Sequence, residues 1–132
     1  MNKNNQPETL KEALKLTTGS EETPTPEFTE LDEKRRKRYK ALWEWENIVE
    51  ALNKQRDPNY IADCADGKRK YEPLVWLKKD DTKPTGFGFS HTLYGSTHTG
   101  TYVGSRLQFI STEDLYYALS QFEQTYIATL IY

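Results

Sequence analysis

Residues 29–53 read TELDEKRRKRYKALWEWENIVEALN, and the fold turns on this run. No proline or glycine falls between Leu31 and Asn53, so nothing in it breaks a helix. Leu42, Trp45, Val49 and Leu52 recur at intervals of three, four and three residues, which places them on one helical stripe. Ala41 and Ile48 widen that stripe. Thr29, three residues before Asp32, has the spacing of an N-terminal cap. Glu30, Asp32 and Glu33 set negative charge at the positive end of the helix. Asp57-Pro58-Asn59 closes the element. Trp43 lies off the stripe and is expected either in solvent or against a second element.

Downstream, the period changes from helix to strand. Residues 59–70 are ambiguous between packing and loop. From Lys70 to Leu77 the residues alternate: Tyr71, Pro73, Val75 and Leu77 share one parity, and Glu72, Leu74 and Trp76 the other. Pro73 donates no backbone hydrogen bond, which favours an edge or a strand start. Lys78 to Pro84 reads as a charged connection. Gly86 to His91 alternates small with large residues and is expected to be a second strand, with a nearly bare Gly86/Gly88 face. Leu93 to Gly100, rich in Gly, Ser and Thr, reads as a loop. Thr101 to Phe109 reads as a third strand, pairing antiparallel with the second. Ser111, with Asp114 three residues on, caps a last helix running to about Thr129. Its apolar stripe is Leu115, Leu119, Phe122, Tyr126 and Leu130.

Upstream, Thr9 to Leu16 carries a short helical signal that holds only if it docks. Glu21 to Pro26 reads as an extended linker. The expected fold class is therefore α+β, with a small antiparallel sheet of about three strands packed against two main helices. Residues 1–28 are expected to form a flexible leader with a short helix able to dock, and residues 29–132 a single α+β domain.

A chain of 132 residues, 36% hydrophobic and 29% charged, suits one core. No apolar run approaches the roughly 18 residues of a membrane helix, so no membrane partner is expected. One cysteine, Cys64, closes no disulfide within the chain, and a cytoplasmic setting is expected. The net charge of −2 hides an acidic stretch, net −5 over residues 1–33, followed by six cations in residues 34–40.

Several blocks resemble a known group. Ile48-Val49-Glu50-Ala51-Leu52-Asn53, the aromatic strand Tyr71 to Trp76, Gly86-Phe87-Gly88-Phe89-Ser90, and Val103 to Ser111 are similar to small proteins encoded in Bacteroidetes genomes and in their phage or prophage-like elements. Gln121-Phe122 and Tyr126 resemble matching positions in the group's C-terminal helix. Arg56-Asp57-Pro58-Asn59-Tyr60 stands where the group has a tryptophan-rich turn. The resemblance implies a phage or mobile-element origin; it carries no catalytic activity and no cofactor.

Motifs for chemistry are sparse. His91 and His98 are the two histidines, far from Cys64, and their spacing to Asp66, Asp80 and Asp81 is not that of a metal site, so no metal and no cofactor are expected. No nucleophile elbow, zinc-protease helix, phosphate-binding loop or dinucleotide fingerprint occurs, so no catalytic residue is assigned. A small enzyme using His91 or His98 is the remotest reading. The leading expectation is a noncatalytic accessory or protein-interaction domain whose partner is another protein or a second copy. Its candidate contacts are Trp43, Trp76, Tyr94, Tyr102, Arg106 and Tyr117, since aromatics and arginine favour interface centres. A homodimer covering the bare Gly86/Gly88 face is one form. Arg106 either holds an anionic group or closes a salt bridge to Glu72 or Glu123. The alternative is a nucleic-acid-associated protein, with Lys34, Arg35 and Arg38 on phosphates and Tyr39 or Trp43 stacking on a base.

Overall fold

The computed structural model describes residues 5–61, 68–98 and 107–132. Along the chain run α1 (Leu10–Thr18), α2 (Glu33–Arg56), β1 (Arg69–Lys79), β2 (Phe87–His98), α3 (Thr112–Gln121) and α4 (Glu123–Ile131). The fold is α+β, with a small antiparallel sheet, of two strands among the described residues, packed against helices. No helix among the described residues is long and apolar enough to cross a membrane.

Helix α2 starts later than the Thr29 spacing predicts. Asp32 is the N-cap, its carboxylate accepting from the Arg35 N–H at 2.9 Å. That short side chain satisfies one of the free donors of the first turn, and the same bond holds the Asp32 carboxyl below its ordinary pKa. The predicted stripe is the buried face: Trp45, Ile48, Val49 and Leu52 form the core with Phe109, Leu115, Ala118 and Leu119.

The sheet is a hairpin. β1 pairs with β2 over its whole length, from Arg69 opposite His98 to Lys79 opposite Phe87. Residues 93–98, read from composition as loop, are therefore strand: Leu93, Tyr94, Gly95, Ser96 and Thr97 pair with Leu74, Pro73, Glu72, Tyr71 and Lys70. Hydrogen bonding to a neighbouring strand outweighs the weak strand preference of Gly and Ser. The connection is a tight turn in which Asp80 N–H reaches the Gly86 carbonyl at 2.9 Å. Gly86 takes φ +81°, the left-handed region that glycine enters without cost. A register shift between Trp76 and Leu77 marks a bulge.

Of the expected third strand, residues 101–106 lie outside the described residues. Phe109 makes an isolated antiparallel bridge to Tyr71, exchanging backbone bonds of 2.9 and 2.8 Å. Because Tyr71 faces Phe109, the odd residues of β1 turn their backbone groups away from β2. Pro73 is one of them, so its missing N–H costs the hairpin nothing, as expected of an edge proline.

The predicted C-terminal helix is two helices. Phe122, with φ −121° and ψ 37°, leaves the helical region and breaks it. The break re-aims the second half: Ile127 is fully buried, whereas Leu130, on the predicted stripe, is 49% exposed. Ser111 stands at the N-cap by backbone conformation, yet its side chain makes no capping bond. Asp114 turns inward instead, accepting from Arg56 at 2.7 and 3.0 Å and from Gln6 at 2.9 Å.

The N-terminal segment takes part in this packing. Ala13 and Leu14 of α1 are buried. Thr17 Oγ1 donates to Asn47 Oδ1 at 2.8 Å, Tyr117 Oη donates to the Pro7 carbonyl at 2.8 Å, and Gln121 donates to the Glu8 carbonyl at 2.8 Å. Leu14→Ala is accordingly expected to lower stability by about 2 kcal/mol, the low end for a buried leucine. Urea unfolding checks it; an unchanged midpoint would show that the segment contributes nothing.

Candidate interaction surfaces

Period-two geometry gives the hairpin two faces. Tyr71, Val75 and Phe89 pack against the core. The opposite face carries Leu74 paired with Leu93 and Trp76 paired with His91. These are directly opposed residues, so their side chains stand together on one side. Trp76 is 50% exposed, Leu74 44% and Leu93 42%. The Trp76 and His91 rings lie 5.1 Å apart, tilted by 46°. Glu72 and Lys78 stand on the same parity of β1 at the two ends of this apolar group. The parity that Leu74 shares with Trp76 is legible in the sequence, whereas Leu93 joins the group only through strand pairing, its segment having loop composition.

Beside the edge of β1 that faces away from β2 lies a cleft of about 400 Å³, lined by Leu74 and Leu107 on one side and by Leu42, Trp45, Tyr126 and Leu130 on the helices. The exposed Leu130 extends the apolar surface from the outer face toward this cleft. Burial pushes the Tyr126 hydroxyl above its ordinary pKa, which keeps it neutral.

The other anticipated interaction residues are dispersed. Tyr94 stands on the core-side parity, edge-on to Tyr71 at 5.4 Å and to Tyr116 at 6.1 Å. Tyr117 donates to the Pro7 carbonyl of the segment that precedes α1. Trp43 is half-buried on α2, its carbonyl accepting from Asn47 at 2.9 Å. Tyr102, Arg106, Cys64 and Asp66 lie outside the described residues. Gly88 has neighbours within the chain, since a Cβ there would meet the Asp80 and Glu123 carboxylates at 3.8 Å, whereas a Cβ on Gly86 would meet nothing within 4 Å.

The cations of residues 34–40 are largely engaged. Arg35 lies 3.6 Å from Asp32, Lys37 3.4 Å from Glu33, and Lys40 2.9 Å from Glu27. Arg36 donates to the Leu31 carbonyl and Arg38 to the Tyr132 carbonyl. The hydrogen bond from Lys40 holds the Glu27 carboxyl below its ordinary pKa. Tyr39 stacks on Phe28 at 6.0 Å, with the Arg38 guanidinium 5.5 Å from its own ring centre. Lys34, Arg35 and Lys37 keep exposed side chains, so a short basic stripe remains at the start of α2.

His91 is committed to Trp76 on the outer face, and His98 ends β2 opposite Arg69. Among the described residues, no three side chains of His, Cys, Asp or Glu cluster in a way that would hold a metal. Comparison with protein-family models, with curated proteins and with solved structures finds no match.

Proposed function

We propose that this chain is a noncatalytic protein-interaction module whose contact surface is the outer face of the β1–β2 hairpin. The observation that carries the reading is the register that brings Leu74, Leu93, Trp76 and His91 together in solvent. Scattered exposed leucines are ordinary, but a cross-strand group of large apolar side chains at the centre of a sheet face is a contact feature. Docking would cover the remaining half of each, at roughly 25 cal/mol per Å² of apolar surface. A tryptophan at the centre suits an interface anchor. The sequence resemblance supports an accessory role in a phage or mobile element, and the single Cys64 supports a cytoplasmic setting.

A second reading, phosphate-backbone binding, is favoured by exposed Lys34, Arg35 and Lys37. Against it stand the carboxylates of Asp32, Glu33 and Glu27, which already neutralise three of the cations.

One experiment separates the two. A photo-crosslinking residue is placed at position 76 or at position 35 of the full chain, and adducts are collected in cells. The expected result is protein adducts from position 76, copies of this chain included, that disappear when Leu74→Glu and Leu93→Glu are added. Nucleic-acid adducts from position 35, with no protein adduct from position 76, would overturn the reading and establish the second.

A further inference from the structure

We infer that the occupant of the outer hairpin face is a second copy of this chain, docked face to face about a two-fold axis crossing the strands at Val75 and Thr92. The inference rests on the preceding reading that this face is a contact surface, and it names the partner. Its warrant is the order of side chains along the face. On β1 the parity reads Glu72, Leu74, Trp76, Lys78: an acid, two apolar groups, a base. Val75 is the midpoint of that series, and Thr92 is its partner on β2.

A two-fold axis in the plane of the interface, perpendicular to the strands, lays β1 antiparallel on β1 of the second copy. Position 72 then meets position 78 of the other copy, and position 74 meets position 76. On β2, position 93 meets position 91. Each Glu72 therefore faces Lys78 of the second copy, twice by symmetry. Leu74 and Leu93 fall on the Trp76 and His91 rings of the second copy. Such an arrangement is isologous: one patch complements itself, and every contact occurs twice. The other in-plane two-fold axis, along the strands, would lay β1 on β2 of the second copy and set Glu72 over Gly95 and Lys78 over Gly88, so only the axis across the strands pairs the two charges.

Both charged side chains are exposed, and Lys78 is near enough to the Asp80 carboxylate to help hold it below its ordinary pKa. Neither Glu72 nor Lys78 forms an ion pair among the described residues; Glu72 accepts a long bond from Gln108 at 3.4 Å. The core-side parity offers no comparable surface, because Tyr71, Val75 and Phe89 already pack on the core. Facing sheets stack about 10 Å apart with the strands of the two sheets within roughly 30° of alignment, a geometry a short twisted hairpin tolerates. Two strands over some four residues each give an interface at or below about 1,000 Å² in total, the low end for specific association. The dimer is therefore expected in the micromolar range rather than the nanomolar.

Sedimentation velocity of the full chain, from about 1 to 500 µM, tests the inference over that range. The expected result is a reversible monomer–dimer equilibrium. Glu72→Lys alone opposes two cations at each end of the contact and is expected to weaken the dimer by about tenfold, as is Lys78→Glu alone. The double variant Glu72→Lys/Lys78→Glu exchanges the charges and keeps them complementary, so it is expected to restore wild-type association. Thermal melts of all three variants confirm that these exposed positions leave the fold intact. A wild-type chain that stays monomeric throughout, or a double variant that fails to recover, overturns the two-fold dimer. If the monomeric chain still gives protein adducts from position 76, the contact surface stands and only the identity of its occupant is wrong. If those adducts are absent as well, both readings fall.

Discussion

Trp45→Ala is expected to lower the unfolding free energy by about 4 kcal/mol, within the range for truncating a buried aromatic. Trp45 sits at the middle of α2, and its side chain is almost fully buried. Its ring meets Phe109 edge-on at 6.0 Å and Tyr126 at 4.7 Å. It therefore joins three parts of the chain: the long helix, the segment that bridges to β1, and the last helix. Aromatic pairs of this kind add to the area they bury, so the loss exceeds that of an aliphatic residue of the same exposure. The neighbouring cleft can take up part of the void by local collapse, which keeps the expected value below the top of the range. Trp43→Ala is the internal control. Trp43 is half-buried and makes no ring contact among the described residues, so its loss is expected to cost about 1 kcal/mol or less. Urea unfolding followed by circular dichroism measures both, since each variant keeps two other tryptophans and fluorescence would confuse them. Equal costs for the two variants would place the core on the wrong face of α2.

Asn53→Ala is expected to cost about 3 kcal/mol, more than its small volume alone would suggest. Asn53 is fully buried at the end of the α2 stripe. Its Nδ2 donates to the Gln108 carbonyl at 3.0 Å, and its Oδ1 accepts from the Ile110 N–H at 3.1 Å. One side chain thus satisfies a donor and an acceptor on the segment leading into α3. Truncation removes both bonds to buried backbone groups, and a buried polar group that loses its bond costs about 1–3 kcal/mol. Asn53→Leu is expected to fare no better, because filling the volume does not restore the two bonds. Hydrogen exchange gives a local check: the Ile110 amide is expected to lose protection in both variants beyond the global loss. A cost under about 1 kcal/mol would mean that water replaces the side chain.

The role of Asn53 is set by tertiary structure and not by its local sequence. It follows Leu52 on the helix and, by position, continues the polar end of a helical run. Nothing local marks it as the residue that ties α2 to a segment 55 to 57 positions later. Asp114 is a second case. Its spacing from Ser111 suits a reciprocal cap, but Arg56 and Gln6 draw it inward, and the Gln6 contact spans 108 positions. A buried carboxylate with an arginine and an amide is better satisfied there than at an exposed helix start. The strand from Leu93 onward is illegible in the sequence for a related reason. Gly95, Ser96 and Thr97 have loop composition, and only pairing to Lys70–Glu72 makes them strand.

The candidate surface divides along the same line. The alternation of Glu72, Leu74, Trp76 and Lys78 was already present in the order of residues. The pairing that sets Leu93 beside Leu74 and His91 beside Trp76 arises only when the hairpin closes. Which parity then meets the core is decided by the packing around Tyr71, Val75 and Phe89, which leaves Leu74, Trp76 and Leu93 of the other face exposed.

By itself, the order of residues determined the long central helix, its buried stripe, the first strand with its edge proline, and the α+β class. Each of these depends on contacts at one, two, three or four positions' separation, which the local backbone repeat turns into a face. Only the tertiary structure decided the hairpin's full length, the break at Phe122, the docking of α1, the inward turn of Asp114 and the anchoring by Asn53. Those depend on groups tens of positions apart, whose meeting is set by the satisfaction of buried polar atoms and the packing of one core.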